Sequence, residues 1–168
     1  MPAPLPLIAS VAAFSDYWQQ IHRRTREVVA ALPPDRLDWR PAADEFSAAD
    51  LVRHIASARR MNILSATLGE GLYPGHDERF GVTLRDLLHY LDATHAEVSN
   101  RLAGMPDEEL TEPQRGASGR TYPAWDILMG MVEHEIHHRS GLAMYLTLMG
   151  VAAPPLYGLY VEDLPQET

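Results

Sequence analysis

The segment Met131-Val132-Glu133-His134-Glu135-Ile136-His137-His138-Arg139 gathers three histidines and two glutamates into nine residues. His134 and His138 are four apart. On a helix that spacing places them one turn apart and about 40° around the axis, so both can reach one metal ion from one side. His137 lies roughly 60° away on the other side of His134 and is expected outside the first shell. Two buried imidazoles without partners cost lost hydrogen bonds, which a shared ion relieves. The competing interpretation is two core or helix-surface histidines linked by water.

A third ligand is needed. His54, in Leu51-Val52-Arg53-His54-Ile55-Ala56-Ser57, lies one position from an apolar stripe. Arg53, Arg59 and Arg60 are expected on other faces of that helix. His95 sits squarely in another stripe and is the rival; otherwise it is an imidazole bonded to a neighbouring helix. His22, His76 and His89 read as surface or loop residues.

His134-Glu135-Ile136-His137-His138 also satisfies His-Glu-x-x-His, in which two histidines hold zinc and Glu135 would act as general base. That chemistry needs a third ligand, usually downstream, and a sheet edge to hold a peptide. No histidine follows His138, and the acidic groups there are Glu162, Asp163 and Glu167. The alternative role for Glu135 is a solvated charge paired with Arg139 four residues on.

Composition narrows the chemistry further. The 168 residues suit one domain, here taken as 1–168, and 46% hydrophobic with 22% charged residues is globular composition. There is no cysteine, so disulfides, thiolate metal sites and a cysteine nucleophile are excluded. All 14 basic residues are arginine, which excludes a lysine Schiff base and a P-loop. A net charge of −9 disfavours a nucleic-acid partner. The start, Met1-Pro2-Ala3-Pro4-Leu5-Pro6, lacks a basic signal-like region, and no apolar run is long enough to span a membrane. A cytoplasmic location is the expectation.

Four helical patterns must position these groups, at about 7–32, 47–69, 83–103 and 121–149, with a proline-broken tail at 151–168. Ser47-Ala48-Ala49-Asp50 and Thr83-Leu84-Arg85-Asp86 read as capping boxes with Asp in place of Glu. Pro33-Pro34 stops the first helix, Pro123 sits in the first turn of the fourth, and Gly150 ends it. The third carries the stripe Leu84, Leu88, Leu91, His95, Val98 and Leu102. The fourth carries Ile127, Met131, His134, His138, Leu142 and Tyr145. No run of alternating β-branched residues predicts a sheet. An all-α four-helix bundle with long connections is the economical fold.

Phe46-Ser47 leading into Asp50-Leu51-Val52-Arg53-His54-Ile55, then His134-Glu135-Ile136-His137-His138-Arg139 and Leu142-Ala143-Met144-Tyr145-Leu146, resembles the DinB family of metal-binding four-helix proteins. Gly150 followed by Pro154-Pro155 fits as well. The resemblance spans about 7–157. It implies a divalent metal held by one histidine of the second helix and two of the fourth, which match His54, His134 and His138. Many members continue Arg-Gly-Gln after the last histidine; this chain has Arg139-Ser140-Gly141, and that glutamine is missing.

Three neutral imidazoles leave coordination positions open, as catalytic rather than structural zinc sites do. The expected chemistry is Lewis-acid activation of a water or thiol. Zinc or nickel leads, with iron or manganese following. The resemblance implies an enzyme that transfers a low-molecular-weight thiol, of bacillithiol or mycothiol type, to an electrophile. A metal-dependent hydrolase and a non-enzymatic stress-response metal protein are the alternatives. The family, with the apolar residues of 151–160, also implies a homodimer.

Overall fold

The structure, a computed structural model, describes residues 7–165; the proline-rich start at 1–6 and the last three residues lie outside them. Four helices dominate: α1 (Val11–Ala30), α2 (Ala48–Leu68), α3 (Leu84–Ala103) and α4 (Ala124–Leu148). Both capping boxes form. The Ser47 hydroxyl accepts from the Asp50 amide while the Asp50 carboxylate accepts from the Ser47 amide, and Thr83 and Asp86 do the same for α3. Gly69 ends α2 at φ 67°, where a side chain would strain the backbone.

Two helix starts differ from expectation. α1 begins after Ser10, whose hydroxyl accepts from the Ala13 amide, rather than near residue 7. α4 begins at Ala124 rather than 121, because β2 (Thr121–Pro123) pairs antiparallel with β1 (Pro113–Arg115). That hairpin is the one sheet among the described residues.

The helices form a ring in which α2 touches α3 and α4, and α1 touches α3 and α4. The diagonal pairs are therefore α1 with α2, and α3 with α4. Consecutive helices that lie diagonally need a long connection, which explains 31–47. Arg36 in that connection donates to the Met149 carbonyl at 2.9 Å, a cation placed at the negative end of α4.

The core falls into two apolar halves. One is built on Phe14, Trp18, Ile63, Leu102 and Leu128, the other on Val28, Leu32, Val52, Leu87 and Leu142. A buried polar layer separates them: Thr25 on α1, Ser57 and Arg59 on α2, Thr94 on α3, Glu135 and Arg139 on α4. The layer corrects three expectations. Arg53 and Arg59 are buried, not on solvated faces, whereas Arg60 is exposed and pairs with Glu97 at 3.3 Å. Glu135 is 1% exposed and pairs with Arg59, not with Arg139. The inward face of α3 is also rotated from that expected: Leu87, Leu91, Thr94, Val98 and Leu102 are buried there. On α4, Ile127, Met131, Leu142 and Tyr145 are buried as expected, but the buried face extends over Leu128, Val132, Glu135 and Leu146 rather than over His134 and His138. His134 and His138 consequently lie half-buried at the seam between α2 and α4 instead of pointing into the core.

No helix among the described residues is long and apolar enough to cross a membrane. Val151, Ala153 and Leu156 of the tail pack back on the bundle, while Tyr157, Leu159 and Tyr160 stay exposed.

Candidate metal centre

The ring order decides which histidines meet. α2 runs beside α4, so His54 faces His134 and His138. One ring nitrogen from each of the three lies within 4.8 Å of the others. The Nε2 atoms of His54 and His134 are 3.0 Å apart. Zinc binds imidazole at about 2.0–2.1 Å, so two such ligands of one ion sit roughly 3.0–3.4 Å apart. The donor set therefore fits a divalent cation. No other histidine or carboxylate among the described residues joins it.

The three rings are held neutral, the form that binds metal. Burial lowers the His54 pKa to about 4, with the charges of His134 and His76 acting in the same direction. Burial, then His134, His54 and His137, bring His138 to about 4. His134 is also lowered, because burial outweighs the favourable charge of Glu135.

A second ring of contacts fixes His54. Its Nδ1 lies 2.7 Å from the Tyr73 hydroxyl, which lies 2.8 Å from His76 Nδ1. Tyr73 has one proton, so it donates to one imidazole and accepts from the other. With the His54 Nε2 lone pair turned to the triad, Nδ1–H donates to Tyr73, and Tyr73 donates to His76. Burial, followed by Tyr90, raises the Tyr73 pKa to about 12 and keeps the phenol protonated. Phe46 packs against His54 and His76 at ring separations of 5.3 and 4.6 Å. The buried Arg53 clamps the loop that carries Tyr73 and His76, donating to the His76 carbonyl at 2.8 Å, the Gly81 carbonyl at 2.6 Å and the Asp50 carboxylate at 2.7 Å. Nothing in the sequence reading placed Tyr73 or His76 here. His76 is a loop residue, as expected, but the Arg53 clamp folds its loop against the triad.

The remaining candidates lie elsewhere. His95 donates from Nε2 to the Gln19 side chain of α1 at 2.9 Å and stacks on His22 with 3.8 Å between ring centroids. Because α3 is diagonal to α4, His95 is kept from the triad. His22 is not a surface residue: it meets Arg59 at 3.3 Å and Asp92 at 3.3 Å. His89 is exposed. His137 is exposed, its ring 4.8 Å from that of His138.

Glu135 is not placed as a base. Arg59 donates to its two carboxylate oxygens at 2.6 and 2.7 Å, and the Thr25 hydroxyl donates at 2.6 Å. Burial would raise its pKa, but Arg59 and these hydrogen bonds outweigh burial and lower it.

Two clefts flank the triad. One of about 540 Å³ is lined by His137 and His138 with Asp44, Glu45, Phe46 and Tyr145. Another of about 350 Å³ is lined by His134 with Asn62, Ser118, Tyr122 and Asp126. No arginine lines either.

Comparison with known proteins agrees with this architecture. The uncharacterized protein YjoA of Bacillus subtilis is 29% identical over 144 residues, 81% of this chain and 89% of its own length. The crystal structure of YjoA superposes with a TM-score of 0.70 at 24% identity, over 84% of this chain and 95% of that one. A DinB-like protein from Bacillus cereus gives 0.74 at 22% identity, over 90% and 98%. YfiT from Bacillus subtilis, described as a probable metal-dependent hydrolase with an unusual four-helix bundle topology, gives 0.68 at 15% identity, over 89% and 94%. The DinB family model matches residues 8–168. With that match across nearly its whole length, the chain belongs to the DinB family.

Proposed function

We propose that the protein is a metal-dependent hydrolase in which His54, His134 and His138 hold one divalent ion. The supporting observation is the convergence of three neutral imidazoles with no fourth protein ligand among the described residues. Structural zinc is usually closed by four protein ligands, whereas catalytic sites keep a position open, so the donor set disfavours a purely structural ion. Imidazole suits zinc or nickel first, with iron or manganese next. A bound ion would supply Lewis acidity at that open position. The bundle shared with YfiT, described as a probable metal-dependent hydrolase, supports the same reaction class.

The chain's own residues supply the rest. The larger cleft receives the substrate beside His138. His137, Asp44 and Glu45 line that cleft and can carry a proton to or from the reacting group. Tyr73 positions His54 through Nδ1. Acidic walls without arginine favour a neutral or cationic small substrate. The same walls place hydrolysis ahead of transfer of an anionic low-molecular-weight thiol, whose carboxylates call for arginine.

The test is turnover of neutral and cationic esters and amides by zinc-, nickel-, iron(II)- and manganese-loaded protein, with and without added thiol. Hydrolysis without thiol, absent from the His138→Ala variant, is expected. Consumption of the electrophile only when thiol is present would replace hydrolysis by thiol transfer.

A partner of a ligating imidazole contributes about ten- to a hundredfold to metal affinity. Tyr73→Phe should therefore weaken zinc binding by that factor, read by competition with a chromophoric chelator, and leave helix content unchanged. Unaltered affinity would remove Tyr73 from the centre.

A further inference from the structure

The smaller cleft beside the triad has a floor made by one narrow face of α4. Asp126, Gly130 and His134 follow one another at steps of four, so they lie one above the next along the helix. Eight residues span about 12 Å of helix axis. All three line the cleft of about 350 Å³, whose walls are Met61 and Asn62 of α2 and the hairpin turn with Tyr122. The hairpin is held there because β1 packs against α2. A Cβ at Gly116 would come within 2.9 Å of the Tyr122 ring, so glycine lets that ring lie against the turn, with its hydroxyl 3.1 Å from that of Ser118. The cleft is thus a groove with a triad histidine at one end and a carboxylate at the other.

Two of its residues serve no need of the fold. Asp126 makes no hydrogen bond and no ion pair among the described residues. The positive end of α4 favours a carboxylate in the first turn, but 126 is the first-turn position in line with His134. Gly130 weakens the interior of a helix, and nothing demands it: its φ is not positive, and a Cβ there would meet nothing within 4 Å. What glycine provides is an open floor between Asp126 and His134. Beside that floor Met61 and Ile127 are apolar, and Asn62, whose amide nitrogen donates to the Ala58 carbonyl at 2.9 Å, keeps its side-chain oxygen free to accept.

We propose that this groove holds the far end of the substrate, a slender apolar chain that passes over Gly130 and ends in an ammonium or guanidinium group on Asp126. The proposal rests on the hydrolase reading and gives it a substrate class: esters or amides with a cationic tail that spans about 12 Å of helix. Hydrolysis adds water across the acyl bond, so one product carries the tail and the other the group seated in the larger cleft beside His138.

Calorimetric titration of the full chain, metal-free and zinc-loaded, with octylammonium chloride tests the groove at fixed ionic strength, with butylammonium chloride and sodium octyl sulfate as the other arms. Saturable binding of octylammonium is expected, weaker for the short cation and absent for the anion. Asp126→Asn should weaken it about five- to tenfold, the loss of one charge-assisted contact at a part-open site. Gly130→Leu should abolish it while keeping or raising Tm, since leucine is the better helix former. His138→Ala should retain it, which separates the groove from the metal centre. With metal-loaded protein, esters carrying a terminal ammonium should be turned over with higher kcat/KM than plain alkyl esters of equal length, and Asp126→Asn should erase that preference through KM. No saturable binding of octylammonium, equal binding of octyl sulfate, or unchanged binding in Asp126→Asn or Gly130→Leu would overturn the groove. Binding as expected without turnover of any ester would overturn the hydrolase reading instead and leave the groove a site for organic cations.

Discussion

Alanine at His54, His134 or His138 should each abolish tight binding of one divalent ion, whereas His95→Ala and His137→Ala retain it. The triad members offer nitrogens within 4.8 Å of one another, so removing one deletes a coordinate bond and leaves two ligands. The loss should exceed the about hundredfold that an outer hydrogen-bond partner costs. Equilibrium dialysis with metal analysis reads it directly. His137 separates binding from chemistry. Its ring lines the large cleft without entering the triad, so His137→Ala should keep the ion and lower kcat by about 10²-fold or more if it carries the proton. Retention of full metal affinity by any triad variant would dissolve the centre.

Much of this centre was legible because it rests on local geometry. His134 and His138 share a helix, and their spacing of four is visible in any sequence window. Both capping boxes are contained in four residues each. What periodicity could not settle was His54 against His95. Each lies near the apolar stripe of its helix, and the choice turns on which helix stands beside α4. That is a property of the ring order, which the family resemblance carried and local pattern did not. The hairpin was missed for a related reason: Thr121–Pro123 becomes a strand only by pairing with Pro113–Arg115. The polar layer was missed because Arg59 and Glu135 are 76 residues apart. A signal was nevertheless present. Ile55, Arg59, Ile63 and Ala66 step by four, four and three along α2, and Leu128, Val132, Glu135, Leu142 and Leu146 follow similar steps along α4. A charged residue in each stripe marks a partner across the bundle.

Breaking that pair should give the largest loss of stability in the molecule. Arg59 and Glu135 are each 1% exposed and joined by two hydrogen bonds of 2.6 and 2.7 Å. Glu135→Ala leaves a guanidinium buried among Trp18, His22 and the Leu91 carbonyl with no counter-charge. Removing one partner of a buried pair costs about 3–5 kcal/mol, a large fraction of the about 5–15 kcal/mol that holds a typical domain folded. Replacing both partners with apolar residues, Arg59→Met with Glu135→Leu, removes the unpaired charge and should recover most of that loss. Urea unfolding of the two single variants and the double variant separates the pair's coupling from its desolvation cost. Acid should attack the same layer in two stages. Burial and the Arg59 charge lower the His22 pKa to about 4 despite Asp92, and burial, then Arg59, brings His95 to about 4, against 6.5 when unfolded. Between pH 6.5 and 4 the unfolded chain binds protons that the fold refuses, so this stability is complete above 6.5 and is lost as pH falls toward 4. Glu135, held below its ordinary 4.5, contributes above that value and fails at lower pH still. In metal-free protein His54 and His138 add to the upper stage, being held at about 4 as well. Urea midpoints between pH 4 and 8 should thus show a slope that is reduced, not abolished, in a variant carrying His22→Gln and His95→Gln. An unchanged slope would mean that these two rings accept protons in the fold as readily as in the unfolded chain, and that the layer tolerates a second cation beside Arg59.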